Sequence, residues 1–392
     1  MNKKFSNIIF ISALAILAIL LGINVINGFR NIEVKDIYGD RSELGDVDVS
    51  VQKNLGSFFY KIYNVGADSV SSKMMFVDES DQGIDFYKNK DVLRGVYTNV
   101  SNSYDGEEYL AVVDVLNYDK GIMNLILKNK KTGEVEKAKI KNPYGPRILG
   151  VYGENNKVKI LMPENDEEAS SPIIIAEYNF ETKDFNKVAS YGIYSEKMEL
   201  EYRDGENFYI GKISRTYDEN KHVEETKDLN IYKVNLKENT FEDYDIRKIL
   251  EENKIDLSGK SLESTECDGN LIYVKISDAI EWEKIFKDEK KMAEYEGRKS
   301  EVPKIYSVAT INMNDLKVNY YKDIIDENKI EEYVKDISQP MYLRVFDNKL
   351  YFTSSVGESN LLVVGVLNLE NGKLAYLGEM NKVRMNGFYK EK

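Results

Sequence analysis

The sequence predicts an all-β body, a β-propeller of about six (five to seven) four-stranded blades, preceded by one N-terminal transmembrane helix. Three observations predict it. A polar turn followed by a short β-branched and aromatic run recurs along the chain, and its clearest copy is Asp268-Gly269-Asn270-Leu271-Ile272-Tyr273-Val274-Lys275-Ile276. The 392 residues hold 28 Tyr and only 6 Pro, a balance that suits pleated, half-buried strands. Ile8 to Ile26 is almost wholly apolar and follows Lys3 and Lys4.

In chain order, residues 1–7 read as a cytoplasmic tail and residues 8–26 as a signal-anchor helix. A helix of that length spans about 28 Å, close to the hydrocarbon core of about 30 Å. The lysines ahead of it favour an inside N-terminus and an extracytoplasmic C-terminal body at the cell membrane, single-pass. A cleavable secretory signal is the competing reading. It wants small residues before the cut, and only Gly28 is passable, with Ile26 two before it. A buried core helix would not explain a terminal, uncharged run led by lysines.

Residues 27–44 read as a linker with a closing strand, and residues 45–392 as the extracytoplasmic propeller. The first part, to about Tyr87, holds three runs, Val47 to Val51, Phe58 to Val65 and Met74 to Val77, that make an irregular blade. Beyond it the repeat is legible. Leu93 to Tyr97 (LRGVY) parallels Ile148 to Tyr152 (ILGVY), and polar turns follow at Asp105-Gly106, Glu154-Asn155-Asn156, Asp204-Gly205, Asp268-Gly269 and Asp347-Asn348. These turns stand about 49, 50, 64 and 79 residues apart, a blade-sized period with insertions. Inner strands follow them, such as Tyr109 to Val113 and Leu350 to Phe352; third strands such as Met123 to Leu127 and Leu361 to Leu369 come next. Two similar segments, Ile246 to Gly259 and Ile324 to Ile337, read as short helices between blades. A pair of antiparallel sandwiches would also use strands but predicts no fixed unit.

The insertion at 278–297 reads as an amphipathic helix. Asp278 and Glu281 form a D-x-x-E capping pattern, and Gly297 ends it. Trp282, Ile285, Phe286, Met292 and Ala293 share one face, which either packs on the body or contacts a partner through Trp282, Ile285, Phe286 and Met292.

Composition narrows the chemistry. A formal net charge of −13 disfavours nucleic acid and anionic lipid as partners of the body as a whole. One cysteine, Cys267, permits no intrachain disulfide or Cys-based zinc cluster. His222 is the single histidine and sits among charged, turn-like residues, which suits a solvated loop better than a catalytic base. Asp78 to Asn89 resembles a calcium loop with Gly83 in sixth place. Ser80, Gln82 and Asn89 replace its third, fifth and twelfth carboxylate or amide ligands. No phosphate-binding glycine motif is present. The sequence thus assigns no catalytic, cofactor-binding or metal residue.

With the lysine-led anchor, the segment Ile32 to Val49 (IEVKDIYGDRSELGDVDV) and the DGN-LIY-type units on the page, the chain resembles poorly characterised membrane-anchored β-propeller proteins of low-GC Gram-positive bacteria. That resemblance implies a location and a body plan but transfers no site residue. The leading expectation is a non-catalytic binding or scaffold protein, partnered by the membrane through its N-terminal helix and by a protein or cell-envelope ligand through its body. One alternative is a cell-envelope hydrolase or lyase using carboxylates on a propeller face. Another is a sensor or regulator of a neighbouring membrane protein.

Overall fold

Alternation of apolar and polar residues drives most of the chain into strands, because successive side chains point to opposite faces. The computed structural model describes residues 32–55, 59–76, 89–93, 96, 101–164, 172–192, 198–218, 223–268, 270–281, 304–338, 340–356 and 361–390. Residues 8–26, His222, Trp282, Ile285, Phe286, Met292 and all but Asn89 of the segment 78–89 lie outside them. No helix among the described residues is long and apolar enough to cross a membrane.

The chain divides into two compact units. Unit 1 joins residues up to Ser80 with Glu327–Lys392; unit 2 is Asp81–Asp326. Unit 1 begins with β1 (Val34–Gly39), β2 (Val47–Asn54), β3 (Phe59–Val65) and β4 (Val70–Phe76). In β2, Val47, Val49 and Val51 are buried at every second position, as a half-buried strand requires.

Unit 2 contains four antiparallel sheets, each a run of neighbouring strands. The first is β5 (Ser103–Asp105), β6 (Tyr109–Asn117), β7 (Ile122–Asn129) and β8 (Val135–Lys141). The second is β9 (Gly150–Glu154), β10 (Lys157–Pro163), β11 (Ile173–Asn179) and β12 (Phe185–Tyr191). The third is β13 (Met198–Asp204), β14 (Asn207–Asp218), β15 (Val223–Asn235) and β16 (Thr240–Asp245), with β19 (Ile280–Glu281) added to β15. The fourth is β17 (Lys260–Asp268), β18 (Leu271–Asp278), β20 (Ile305–Asn312) and β21 (Val318–Asp326). Cys267 lies in β17, its backbone opposite Ile272.

Successive sheets of unit 2 share apolar clusters. Val113 and Leu125 of the first meet Ile160 and Ile174 of the second. Leu161 and Ile175 of the second meet Phe208 and Val234 of the third. Ile231 of the third meets Val274 and Ile311 of the fourth. The outer strand β8 exposes Lys137, Lys139 and Lys141 at alternate positions, charges that guard an open edge.

The helix Ile246–Glu252 forms where the sequence predicts it. Asp245 caps it, accepting from the Lys248 amide at 2.9 Å, and Ile246, Ile249 and Leu250 line its buried face.

The rest of unit 1 is β22 (Met341–Phe346), β23 (Lys349–Ser355), β24 (Leu361–Asn368), β25 (Leu374–Asn381) and β26 (Arg384–Lys390). Its two sheets exchange strands. One has the order β1-β25-β24-β23-β22, and the other β26-β2-β3-β4. Thus β1 lies outside the late hairpins, and β26 completes the early ones. A shared core of Val47, Val49, Val364, Tyr376 and Phe388 joins the two sheets.

Among the described residues, six antiparallel sheets of blade type therefore stand where about six were predicted. Three local expectations are corrected. Leu93 ends a helical turn, Lys90–Leu93, instead of opening a strand; the counterpart of the ILGVY strand is Ser103–Asp105, which runs directly into the Asp105-Gly106 turn. Wording misled here, because β5 is too short and polar to register as an apolar run. The segment Ile324 to Ile337 is strand up to Asp326, and only Glu327–Ile330 is helical, since β21 stays laddered to β20 through Ile305↔Asp326. Asp278 and Glu281 do not cap a helix. Asp278 ends β18 and pairs with Lys260 at 2.5 Å, while β19 (Ile280–Glu281) pairs with Val223 and Glu224 of β15. The long β15 offers an unpaired edge that satisfies those backbone groups better than an isolated first helical turn would.

Candidate functional site

Each first strand of the unit 2 sheets ends at a polar turn, and large side chains gather just before three of these turns. They are Tyr104 in Tyr-Asp-Gly, Tyr152 in Tyr-Gly-Glu and Arg203 in Arg-Asp-Gly. The local sequence explains their postures. Gly106 has no side chain, and the Tyr104 ring folds back over it: a Cβ at Gly106 would stand 2.3 Å from the Tyr104 oxygen. Gly153 lets β9 press against Ala111 and Leu127 of the first sheet, which brings Tyr152 beside Tyr104.

The three side chains stitch three sheets together. The Tyr104 and Tyr152 rings lie 4.8 Å apart between centroids at a tilt of 56°. Arg203 sits with its guanidinium carbon 5.9 Å from the Tyr104 ring centre and donates to the Ser103 carbonyl, so the third sheet reaches the first. The buried Lys159 donates to the Lys237 carbonyl at 2.8 Å, tying the second sheet to the third.

Charges around this hub are neutralised internally. Glu154 lies 3.4 Å from the Lys159 ammonium and also accepts from the Tyr152 hydroxyl at 3.4 Å. Asp105 pairs with Lys130 at 2.5 Å. Burial, followed by the nearby Glu154, Tyr104 and Glu206, pushes the Tyr152 phenol well above its ordinary value. Burial and Glu206 push Tyr104 the same way. Burial lowers Arg203 from its usual value, yet guanidinium remains charged. The hub therefore offers protonated phenols, aromatic faces and a fixed cation. Tyr152 is buried and Tyr104 and Arg203 are half-buried, and neither phenol can serve as a base near neutral pH.

A second feature of unit 2 is Asp114 on β6, opposite Asn124. It is half-buried, and burial raises its carboxyl above the usual range. Near the far end of the fourth sheet, the Ser307 hydroxyl accepts from the Asp323 amide at 2.9 Å and from the Tyr320 hydroxyl at 3.2 Å. Those bonds hold Asp323 at φ +49° and shape the bulge beside Tyr306; no imidazole stands by among the described residues to activate Ser307. Among the described residues, no three His, Cys, Asp or Glu side chains converge to hold a metal ion.

Trp282, Ile285, Phe286 and Met292 lie outside the described residues. Tyr104, Tyr152 and Arg203 were missed in the sequence. Their signal is visible in retrospect: a large aromatic or basic side chain within two residues of a polar turn, in three of the four sheets of unit 2.

No protein family matches the chain, nor does any curated protein. Solved structures align over most of its length at low identity. Cobalt-substituted Synechocystis apocarotenoid oxygenase covers 92% of this chain and 95% of its own at 6% identity, with a TM-score of 0.43. An oligogalacturonate lyase in complex with manganese covers 88% and 77% at 9% identity and a TM-score of 0.36. The β-propeller domain of the Trilobed protease from Pyrococcus furiosus covers 88% and 84% at 10% identity and a TM-score of 0.31. At these levels the likenesses transfer no site and no substrate.

Proposed function

We propose that the chain is a non-catalytic binding or scaffold protein, tethered by residues 8–26 to the outer side of a cytoplasmic membrane. Its six sheets are taken as blades of one propeller. Its hub at Tyr104, Tyr152 and Arg203 receives a polar cell-envelope or protein ligand rich in hydrogen-bond acceptors. The observation that carries the reading is the state of the hub's ionisable groups. Glu154 and Asp105 are each matched by a lysine, and both phenols are held protonated. Such a set recognises a ligand without moving its protons.

The test is calorimetric titration of the full chain, in detergent, against a panel of envelope glycans and peptides. A ligand whose affinity falls at least about tenfold in Tyr152→Ala, the loss of about 1.4 kcal/mol, supports the reading. Binding that ignores both Tyr152→Ala and Tyr104→Ala removes it.

One observation favours a second reading, an envelope hydrolase or lyase. Asp114 is a half-buried carboxyl with a raised pKa and, among the described residues, no ion-pair partner. A raised carboxyl is what a general acid needs. Turnover of any panel member that Asp114→Asn abolishes would replace the binding reading with this one.

A further inference from the structure

We propose that the outer edge of β8 receives an extended acidic segment of a partner protein, added to the first sheet of unit 2 as a fifth strand. This goes beyond the ligand reading above and depends on neither the hub nor the tether.

The molecule itself shows that an outer strand of this kind takes a fifth. The sheets of unit 2 end in β8, β12, β16 and β21, and β25 is the corresponding fourth strand of its unit 1 sheet. Along β25 runs β1, antiparallel, from Val34↔Met380 to Gly39↔Tyr376. None of the six residues of β1 is fully buried. The backbone ladder holds it, together with side-chain pairs across that ladder: Lys35 to Glu379 at 2.8 Å, and the Tyr376 hydroxyl donating to Asp36 at 2.7 Å. An edge left open offers N–H and C=O groups that a further strand satisfies.

Among the outer edges of unit 2, side chains single out β8. Val135, Lys137, Lys139 and Lys141 are exposed at alternate positions on one face. Successive lysines stand about 6.6 Å apart, twice the rise of a strand residue. Their row extends the face that carries Ile126, Asn124 and Ile122 of β7, the residues directly opposite. Lys128 of that face is engaged by Asp91 at 3.0 Å, whereas Lys137, Lys139 and Lys141 have no ion-pair partner among the described residues. The other outer strands carry no such row. β12 exposes Lys187, and Glu164 engages it. β16 exposes Glu242, Asp243 and Asp245, and β21 exposes Lys322 and Asp323 in succession.

Charge decides what the β8 edge accepts. A second β8 would set lysine against lysine and be repelled, so the row guards against self-pairing. The same row attracts an acidic strand. In an antiparallel ladder, residues directly opposite share a face, with Cβ atoms about 4.5–5.5 Å apart. A segment with Glu or Asp at every second position therefore sets one carboxylate against each lysine while its backbone closes the ladder. A globular acidic surface meets the lysines but leaves the backbone groups between them unsatisfied.

The test is fluorescence anisotropy of the full chain, in detergent, with the labelled peptide Thr-Glu-Val-Glu-Val-Glu-Thr. Binding is expected, and it should weaken at least about tenfold in K137E/K139E/K141E. The K137Q/K139Q/K141Q variant removes the charge more gently and should show the same direction should the glutamate variant fold poorly. Peptides methylated on alternate backbone amides test the ladder. Methylation in the register that faces β8 is expected to abolish binding, and methylation in the other register to leave it nearly unchanged. Tyr152→Ala is expected to leave this binding unaltered, so a failure here leaves the hub reading standing. Absence of binding, indifference to both lysine variants, or equal binding by the two methylated peptides each overturns the inference, the last by reducing the contact to adhesion of opposite charges.

Discussion

Unit 1 and unit 2 are made of the same kind of sheet but closed in different ways. Every sheet of unit 2 takes its four principal strands in sequence order, so each hairpin forms from neighbouring residues. Both sheets of unit 1 combine early and late segments, with β1 on β25 and β26 on β2. The closures also differ in chemistry. Unit 2 relies on shared apolar clusters and the Tyr104–Tyr152–Arg203 hub. Unit 1 adds long-range polar clasps: Asp36, held locally by Arg41, to Tyr376, Lys35 to Glu379, and the Tyr351 hydroxyl to the Leu44 carbonyl. Bringing distant segments together costs loop entropy, and the clasps help to offset it. The lesson is that unit 2 can assemble by propagation, whereas unit 1 waits for the whole chain.

Removal of residues 384–392 would break this comparison most forcefully. It strips β26 and the buried Phe388 from the unit 1 core. The expected loss is at least about 3–5 kcal/mol, the range for emptying a buried phenylalanine site. Native-state hydrogen exchange should then show unit 1 amides unprotected and unit 2 amides still slow. Equal loss of protection in both would refute the asymmetry.

A smaller effect tests whether local packing is equally strict in both units. A Cβ on Gly365 would lie 2.1 Å from the buried Phe352 ring, and one on Gly153 would lie 2.6 Å from the Ala111 Cβ and 2.8 Å from Leu127. Each alanine substitution is expected to cost about 1–3 kcal/mol in denaturant melts. Gly365→Ala should be the worse, because a fully buried ring has less room to shift than a leucine methyl. Similar values across units would place the difference between them in strand exchange and not in packing quality.

The smallest effect concerns the clasp at β1. Burial tends to raise the Asp36 carboxyl, but hydrogen bonds from Arg41 and Tyr376 outweigh it, and the net shift is downward. A depressed carboxyl adds stability above its unfolded value, near 3.8, and loses it as pH falls through the folded value. Asp36→Asn should therefore cost up to about 1 kcal/mol near pH 7, a modest sum because the pair is partly exposed. The melting curves of the two proteins should converge below about pH 4, where protonation empties the ordinary carboxylate. A gap that persists in acid would assign the effect to packing.

Much of the architecture was legible. Turn positions could be read because they need residues that tolerate a left-handed backbone, and Asn155, Asn156, Asp347 and Asn348 all have positive φ. The helix Ile246–Glu252 was legible through its likeness to Ile324 to Ile337 at the same place between units; its Asp245 cap emerged only in the structure. The candidate site was not. Tyr104, Tyr152 and Arg203 are ordinary surface-strand residues in the sequence, and their meeting depends on how three sheets converge. The segment Asp278 to Glu281 failed for the same reason: its capping pattern is local, and the edge of β15 that overrides it comes from more than 50 residues earlier.

The sequence by itself determined the all-β character and the turns that join the repeated hairpins, since those depend on residues a few positions apart, and it left the number of blades between five and seven. Only the tertiary structure decided that β26 would complete the first sheet and β1 the last, and that Arg203 would reach Ser103. Backbone ladders are chemically alike, so a strand carries no mark of a partner some 340 residues away; burial of the shared core around Phe388 and Tyr376 makes that choice.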